Sequence, residues 1–198
     1  MKKINKVAVI GSGIMGSRIA CHFANIGIEV LLLDIAHEEK DQTKEKQSTS
    51  RNKIVNQALI NTLKTKPSPI YLKKFSKRIE TGNLIDDISK IKYVDWIIEV
   101  IIENIEIKKQ LFENIEKYRS TGTIISTNTS GIPINKMIQG RSDDFCENFC
   151  GTHFFNPPRY LKLLEIIPSK KTNPELIKFL LKFGEKYAEN ISGENGCI

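Results

Sequence analysis

Val7-Ala8-Val9-Ile10-Gly11-Ser12-Gly13-Ile14-Met15-Gly16 is four buried-strand residues running into a glycine-rich turn. The glycines fit G-x-G-x-x-G in the context that gives this motif meaning, after a strand and before a helix. A helix-compatible segment follows from about Ile14 to Ile26, with Ile19, Ala20, Phe23 and Ala24 on one side. Gly27 is placed to close it in the left-handed conformation that glycine tolerates best. A second strand, Glu29-Val30-Leu31-Leu32-Leu33, then ends in Asp34.

Each residue type has a physical task. Gly11 permits the tight turn, Gly13 lets the backbone approach a pyrophosphate, and Gly16 lets helix and strand pack closely. The helix N-terminus offers unpaired N–H groups and a partial positive charge to phosphates. A carboxylate at the tip of the second strand accepts hydrogen bonds from a ribose diol and repels a 2′-phosphate, which favours NAD over NADP. The candidate cofactor contacts here are Gly11, Gly13, Ile14, Met15, Gly16 and Asp34. Flexible loops supply a bare G-x-G-x-x-G by chance, and Asp34 alone would read as a solvated turn residue. The strand, helix, second strand and terminal acid together carry the dinucleotide reading.

Composition narrows the remaining options. A chain of 198 residues buries roughly 70% of its unfolded surface, enough for one sound α/β core and cramped for two. No apolar run approaches the ~20 residues that span a bilayer. The start, Met1-Lys2-Lys3-Ile4, superficially resembles a signal peptide, but the glycine turn and amphipathic helix behind it account for those residues better. Cys21, Cys146, Cys150 and Cys197 have no zinc-ligand spacing, so no metal is expected. Reduced structural thiols in a cytoplasmic protein are the expectation. The formal charge of +7 is dispersed rather than blocked. Without helix-turn-helix, zinc-finger or aromatic RNP patterns it argues against nucleic acid and suits an anionic small molecule.

Along the chain, residues 37–51 are charged and lack an apolar period, as expected of an exposed excursion. Ile54, Ala58, Leu59 and Leu63 then suggest a helix stopped by Pro67-Ser68-Pro69. Strands are expected at Arg78–Thr81, at Val94–Ile101, whose continuous apolar character suits a parallel strand covered on both faces, and at Gly122–Ser126. Others are expected at Phe149–Phe155 and at Leu161–Ile167, the latter stopped by Pro168. Helices are expected after Glu103 with Ile107, Leu111 and Ile115, around Asn135–Ile138, and after Asn173 and Pro174. A polar loop is expected at Gly140–Asp144. The alternation argues a doubly wound, mostly parallel sheet.

In such sheets ligands bind beyond the carboxyl ends of the strands. Four strand-end segments bring polar residues there: Gly11–Gly16, Glu99–Lys108, Asn128–Ser130 and His153–Asn156. His153 reads either as a core histidine bonded to backbone or as a general base with a pKa near working pH. Glu165 lies inside Leu163-Leu164-Glu165-Ile166-Ile167, where a carboxylate must be paired or shift its pKa. A His153–Glu165 pair would satisfy both and hold the imidazole in one tautomer. Ser130 and Asn128 suit either a substrate oxygen or the caps of a strand-to-helix turn. Together these residues point to hydride transfer assisted by proton abstraction from an alcohol.

The set G-S-G-I-M-G (11–16), I-E-V-I-I-E-N-I-E-I-K (98–108), S-T-N-T-S-G (126–131), G-T-H-F-F-N-P-P (151–158) and L-K-L-L-E-I-I (161–167) closely resembles the NAD-binding domain of 3-hydroxyacyl-CoA dehydrogenases. It looks most like the dehydrogenase portion of large bacterial proteins that join this activity to an enoyl-CoA hydratase-like region. The likeness covers Lys6 to about Gly184, with five motifs agreeing in order, content and spacing. It implies a Rossmann-type fold with a helical excursion after the second strand, in the segment that follows Asp34, which helps hold coenzyme A.

By residue, the resemblance makes His153 the catalytic base, Glu165 its acidic partner, and Ser130 the contact to the substrate's 3-oxygen. Asn156 also binds substrate, Glu103 and Lys108 lie beside the nicotinamide ribose, Asp34 meets the adenosine ribose, and Asn128 joins the cofactor contacts. The implied reaction is oxidation of an L-3-hydroxyacyl-CoA to the 3-ketoacyl-CoA of β-oxidation. Family members continue into a further catalytic asparagine and an all-helical domain that forms a homodimer. Residues 1–187 are therefore expected to be the NAD-binding domain, and 188–198 a truncated start of the link to that helical part. Two rivals share the Gly11–Asp34 site: a nucleotide-binding module without turnover, and another alcohol or hydroxyacid dehydrogenase indifferent to coenzyme A.

Overall fold

The computed structural model describes residues 3–37, 51–161 and 163–192. Among them are seven strands in one sheet. They are β1 (Lys6–Ile10), β2 (Glu29–Asp34), β3 (Ile79–Asn83), β4 (Trp96–Glu99), β5 (Ile124–Thr127), β6 (Phe149–Phe154) and β7 (Leu164–Pro168). Their order is β3-β2-β1-β4-β5-β6-β7. All neighbours run parallel except β6 and β7. The chain moves outward from β1 to β3, then returns to β1's other side with β4. The crevice between the carboxyl ends of β1 and β4 is thus the switch point where doubly wound sheets hold ligands.

Alternation along the strands divides the core into two layers. Val7, Val9, Val30, Leu32, Trp96 and Ile98 face Ile19 and Phe23 of α1 (Ile14–Asn25), Val55 of α2 (Lys53–Leu63), and Leu176 and Leu180 of α6 (Pro174–Ser192). Ala8, Ile10, Leu31, Leu33 and Ile97 face Leu111, Phe112 and Ile115 of α3 (Ile105–Tyr118). Met137 of α4 (Ile134–Met137) and Phe145 of α5 (Asp143–Glu147) complete that layer. Each fully buried side chain of this size contributes roughly 1.5–3 kcal/mol. Trp96, the one tryptophan, is fully buried, and its indole N–H donates to Ser126 Oγ at 2.9 Å. Thr152 Oγ1 donates to the same oxygen at 2.6 Å, so a polar thread crosses β4, β5 and β6 inside the core.

Several boundaries differ from the sequence-based expectation for local reasons. The strand expected at Arg78–Thr81 begins at Ile79, because Arg78 Nη1 instead donates to the Ala24 carbonyl near the end of α1 at 2.6 Å. Pro168, expected to stop the last strand, is its final residue. An edge strand has no ladder bond to lose there. The loop expected at Gly140–Asp144 opens α5, where Ser142 Oγ accepts from Phe145 N–H at 3.3 Å; a five-residue helix is too short to show an apolar period. Gly27 is left-handed (φ 89°), as its place after α1 requires. Asn173 Oδ1 accepts from Glu175 N–H at 2.9 Å, and the α6 it opens runs to Ser192, across the expected boundary at 187. The charged excursion between His37 and Arg51, and the tail from 193, lie outside the described residues for 38–50 and 193–198.

Candidate active site

The glycine-rich turn is shaped by close approach. Gly11 sits at φ 102°, and a Cβ there would stand 2.5 Å from the Val100 carbonyl oxygen beyond β4. At Gly16 a Cβ would fall 1.7 Å from the Gly11 carbonyl, so any side chain would push α1 off β1. Gly13 is different: a Cβ would meet nothing within 4 Å. That open space lies at the N-terminus of α1, whose first turn closes from Ser17 N–H to Gly13 O at 3.0 Å. Ile14 beside it is 70% exposed. Bare backbone, free helix-start amides and an uncovered apolar side chain fit a pyrophosphate with a flat ring system alongside.

Asp34 closes this turn. Its Oδ2 accepts from Ser12 N–H at 2.6 Å and from the Ser12 hydroxyl, and its Oδ1 accepts from Ile35 N–H at 2.7 Å. The carboxylate is therefore fixed at the tip of β2 before any ligand arrives, with acceptor capacity left for a diol. Ser12, which no sequence pattern singles out, is what fixes it.

Beyond β4 stands a buried ion pair. Lys108 Nζ lies 2.6 Å from Glu99 Oε1, both side chains within 1% of full burial, and 3.2 Å from Glu103 Oε2. Glu99 also accepts from Thr127 Oγ1 at 2.5 Å and from Ile101 N–H at 2.8 Å. Glu103 accepts from the Thr129 hydroxyl and from the N–H groups of Ser130 and Gly131, the two amides each at 3.2 Å. Burial pulls the Glu103 carboxyl upward, but the Thr129 and Gly131 hydrogen bonds and the Lys108 charge outweigh it and leave it below the ordinary value. Glu103, Lys108 and Ser130 thus come together as one assembly. Lys108 stands inside it between two carboxylates rather than free at the edge.

On the next strands, His153 faces Glu165 directly across the antiparallel pair, with Nδ1 2.7 Å from Oε2. The side chains are 23% and 45% exposed. The apolar neighbours of Glu165 suggested burial, yet β7 is an edge strand and leaves the carboxylate half open. An ionised carboxylate only accepts, so the neutral ring carries its proton on Nδ1 and leaves Nε2 as the free base. Phe155 packs on the imidazole with centroids 4.6 Å apart. Asn128 Oδ1 accepts from Phe154 N–H at 2.8 Å, which ties the end of β5 to the His153 strand and commits that oxygen. Asn156 Oδ1 accepts from Arg18 on α1. Arginine only donates, so the asparagine NH2 is turned away from it.

Besides Ser12, two further residues of this edge are not evident from the sequence. Glu99 ends an apolar strand and marks only the start of a segment; a charge closing W-I-I-E nine residues before a lysine is the available signal. Arg18 lies on a helix face whose partner is 138 positions away, and no local pattern announces it. Among the described residues, two thiols are chemically quiet: burial pushes Cys21 and Cys150 up to about 12.

A family model described as 3-hydroxyacyl-CoA dehydrogenase, NAD binding domain, matches residues 6–190. A probable 3-hydroxyacyl-CoA dehydrogenase of Bacillus subtilis (strain 168) is 53% identical over 190 residues, covering 93% of this chain and 24% of the relative. One of Deinococcus radiodurans is 46% identical over 183 residues, covering 92% and 51%. The crystal structure of 3-hydroxybutyryl-CoA dehydrogenase from Escherichia coli K12 superposes with a TM-score of 0.72 at 27% identity, covering 100% of this chain and 38% of that one. The chain thus spans about a quarter to a half of the length of these relatives.

Proposed function

The chain belongs to the 3-hydroxyacyl-CoA dehydrogenase NAD-binding family, and from that premise we propose that it serves the oxidation of L-3-hydroxyacyl-CoA to 3-ketoacyl-CoA in fatty-acid β-oxidation. The observation that carries this reading is the His153–Glu165 pair at the same sheet edge as the glycine turn. NAD, when bound, supplies the hydride acceptor for C3 of the substrate. His153 Nε2 takes the hydroxyl proton as the C3–H electron pair departs, and the C–O bond becomes a carbonyl. Glu165 accepts from Nδ1–H and stabilises the imidazolium that forms. Ser130 donates to the 3-oxygen, and the outward NH2 of Asn156 donates to a second substrate oxygen. Asp34 accepts from the adenosine ribose, and Glu103, Lys108 and Asn128 line the nicotinamide side with Gly11, Gly13, Ile14, Met15 and Gly16 beneath the phosphates.

In this reading the chain is the cofactor domain, with the continuous α6 (Pro174–Ser192) belonging to it as a whole, and the working enzyme is a cytoplasmic homodimer. Among the described residues no helix is long and apolar enough to cross a membrane. A second reading, a cofactor-binding module that does not turn over alone, is supported by the short share of the relatives that the chain spans. NADH oxidation by the 198-residue chain with acetoacetyl-CoA near neutral pH separates the two. Steady turnover favours the first, and NADH binding without turnover favours the second. Absence of NADH binding overturns both.

A further inference from the structure

The buried assembly beyond β4 is costly as a stability device. Two charges taken out of water regain little beyond what well-packed apolar side chains would give. Glu99 is nonetheless fully satisfied: Lys108, Thr127 Oγ1 and Ile101 N–H occupy its two oxygens. From Glu99 a directed series of contacts runs outward. Lys108 passes from Glu99 to Glu103, and Glu103 receives the Thr129 hydroxyl and the Ser130 and Gly131 amides. The main chain of Glu99 acts in the same direction, its carbonyl accepting from Asn128 N–H at 2.8 Å. Residues 128–131 are therefore held from one point, once through the backbone and once through three side chains.

We propose that Glu99 is a positioning residue: through Lys108 and Glu103 it fixes the Asn128–Gly131 loop, and with it Ser130, against the edge where His153 stands. The inference deepens the dehydrogenase reading and rests on it for the role of Ser130, but the placement of the loop is independent of that role. An unpaired Ser130 hydroxyl on a freely moving loop would cost the ordering of that loop in each encounter with substrate. A loop ordered in advance removes that cost. Glu103 is 44% exposed and is screened by water, so without a buried anchor for Lys108 it holds the loop weakly.

The test is amide hydrogen exchange on the cofactor-free 198-residue chain, read beside an NADH titration. Glu99→Gln keeps the size and an acceptor oxygen but removes the charge that holds Lys108. Exchange at Ser130 and Gly131 is expected to quicken about tenfold or more, while Val9 and Leu32 in the sheet centre stay as slow as before. Should Glu99→Gln fail to fold, Thr127→Val removes one hydrogen bond to Glu99 and is expected to quicken the same two amides severalfold. Unchanged exchange at Ser130 and Gly131, or equal quickening throughout the sheet, overturns the proposal. If the loop amides quicken but the unmutated chain binds no NADH, the positioning role stands and the dehydrogenase reading falls.

Discussion

His153 and Glu165 sit directly opposite one another across the only antiparallel strand pair of the described sheet, Nδ1 to Oε2 at 2.7 Å. An antiparallel neighbour brings its residue to face the histidine squarely, on the same side of the sheet, and holds the ring by Nδ1, leaving Nε2 free. Replacing His153 by Gln is expected to lower kcat about 100- to 10,000-fold, the usual range for a lost general base. The NADH dissociation constant should stay within about twofold. Equal rates for the two proteins would remove His153 from the chemistry.

Gly13 and Gly16 should respond oppositely to the same methyl group. Gly13→Ala meets nothing within 4 Å and is expected to leave the melting temperature nearly unchanged while weakening NADH more than about tenfold, since the added Cβ occupies the phosphate's approach. Gly16→Ala meets the Gly11 carbonyl at 1.7 Å and is expected to destabilise the fold by several kcal/mol. Thermal melting and an NADH titration on both variants decide it; an intact cofactor affinity in Gly13→Ala would place the pyrophosphate elsewhere.

Asp34→Asn is expected to weaken NADH about tenfold, or ~1.4 kcal/mol, and to narrow the gap to NADPH. The amide retains one oxygen to receive Ser12 N–H, so melting should shift little. If the preference for NADH over NADPH were the same before and after, Asp34 would not be the ribose acceptor.

His22 sets an acid limit on stability. Its Nδ1 is buried without a partner, beside Phe23 and Phe154, and burial lowers its pKa from 6.5 to about 4. The unfolded chain takes a proton as pH falls through 6.5, whereas the folded chain resists until about 4. Stability is therefore full above about 6.5 and is lost progressively toward 4, by up to about 3 kcal/mol. His22→Phe should flatten the urea-midpoint curve across that window. A slope identical to the parent's would assign the acid sensitivity to other groups.

Much of this is legible in the sequence because it is local or periodic. The glycine turn, the acid closing β2 and the apolar runs of β1, β2 and β4 each carry their meaning within a few residues, and the switch-point architecture grows out of their alternation. His153 and Glu165 are readable as a pair because one motif encloses each. The remainder depends on tertiary proximity. Whether Glu165 is buried depends on β7 being an edge strand, which its apolar composition conceals. The Glu99–Lys108 pair spans a strand end and a helix, and Arg18 meets Asn156 only after the sheet is assembled. Short α5 is set by the Ser142 cap rather than by any repeat.

The polar thread from Trp96 through Ser126 to Thr152 has an optical consequence. The only indole in the chain is fully buried, edge-on to Phe23 with centroids 5.4 Å apart, and hydrogen-bonded to a hydroxyl rather than to solvent. Its emission is expected to be blue-shifted and to report one environment. Glu99 lies three residues further along the same strand, about 10 Å at the usual rise. A dihydronicotinamide seated in the crevice would therefore quench that emission by energy transfer, so the chain carries its own gauge of cofactor occupancy without a label.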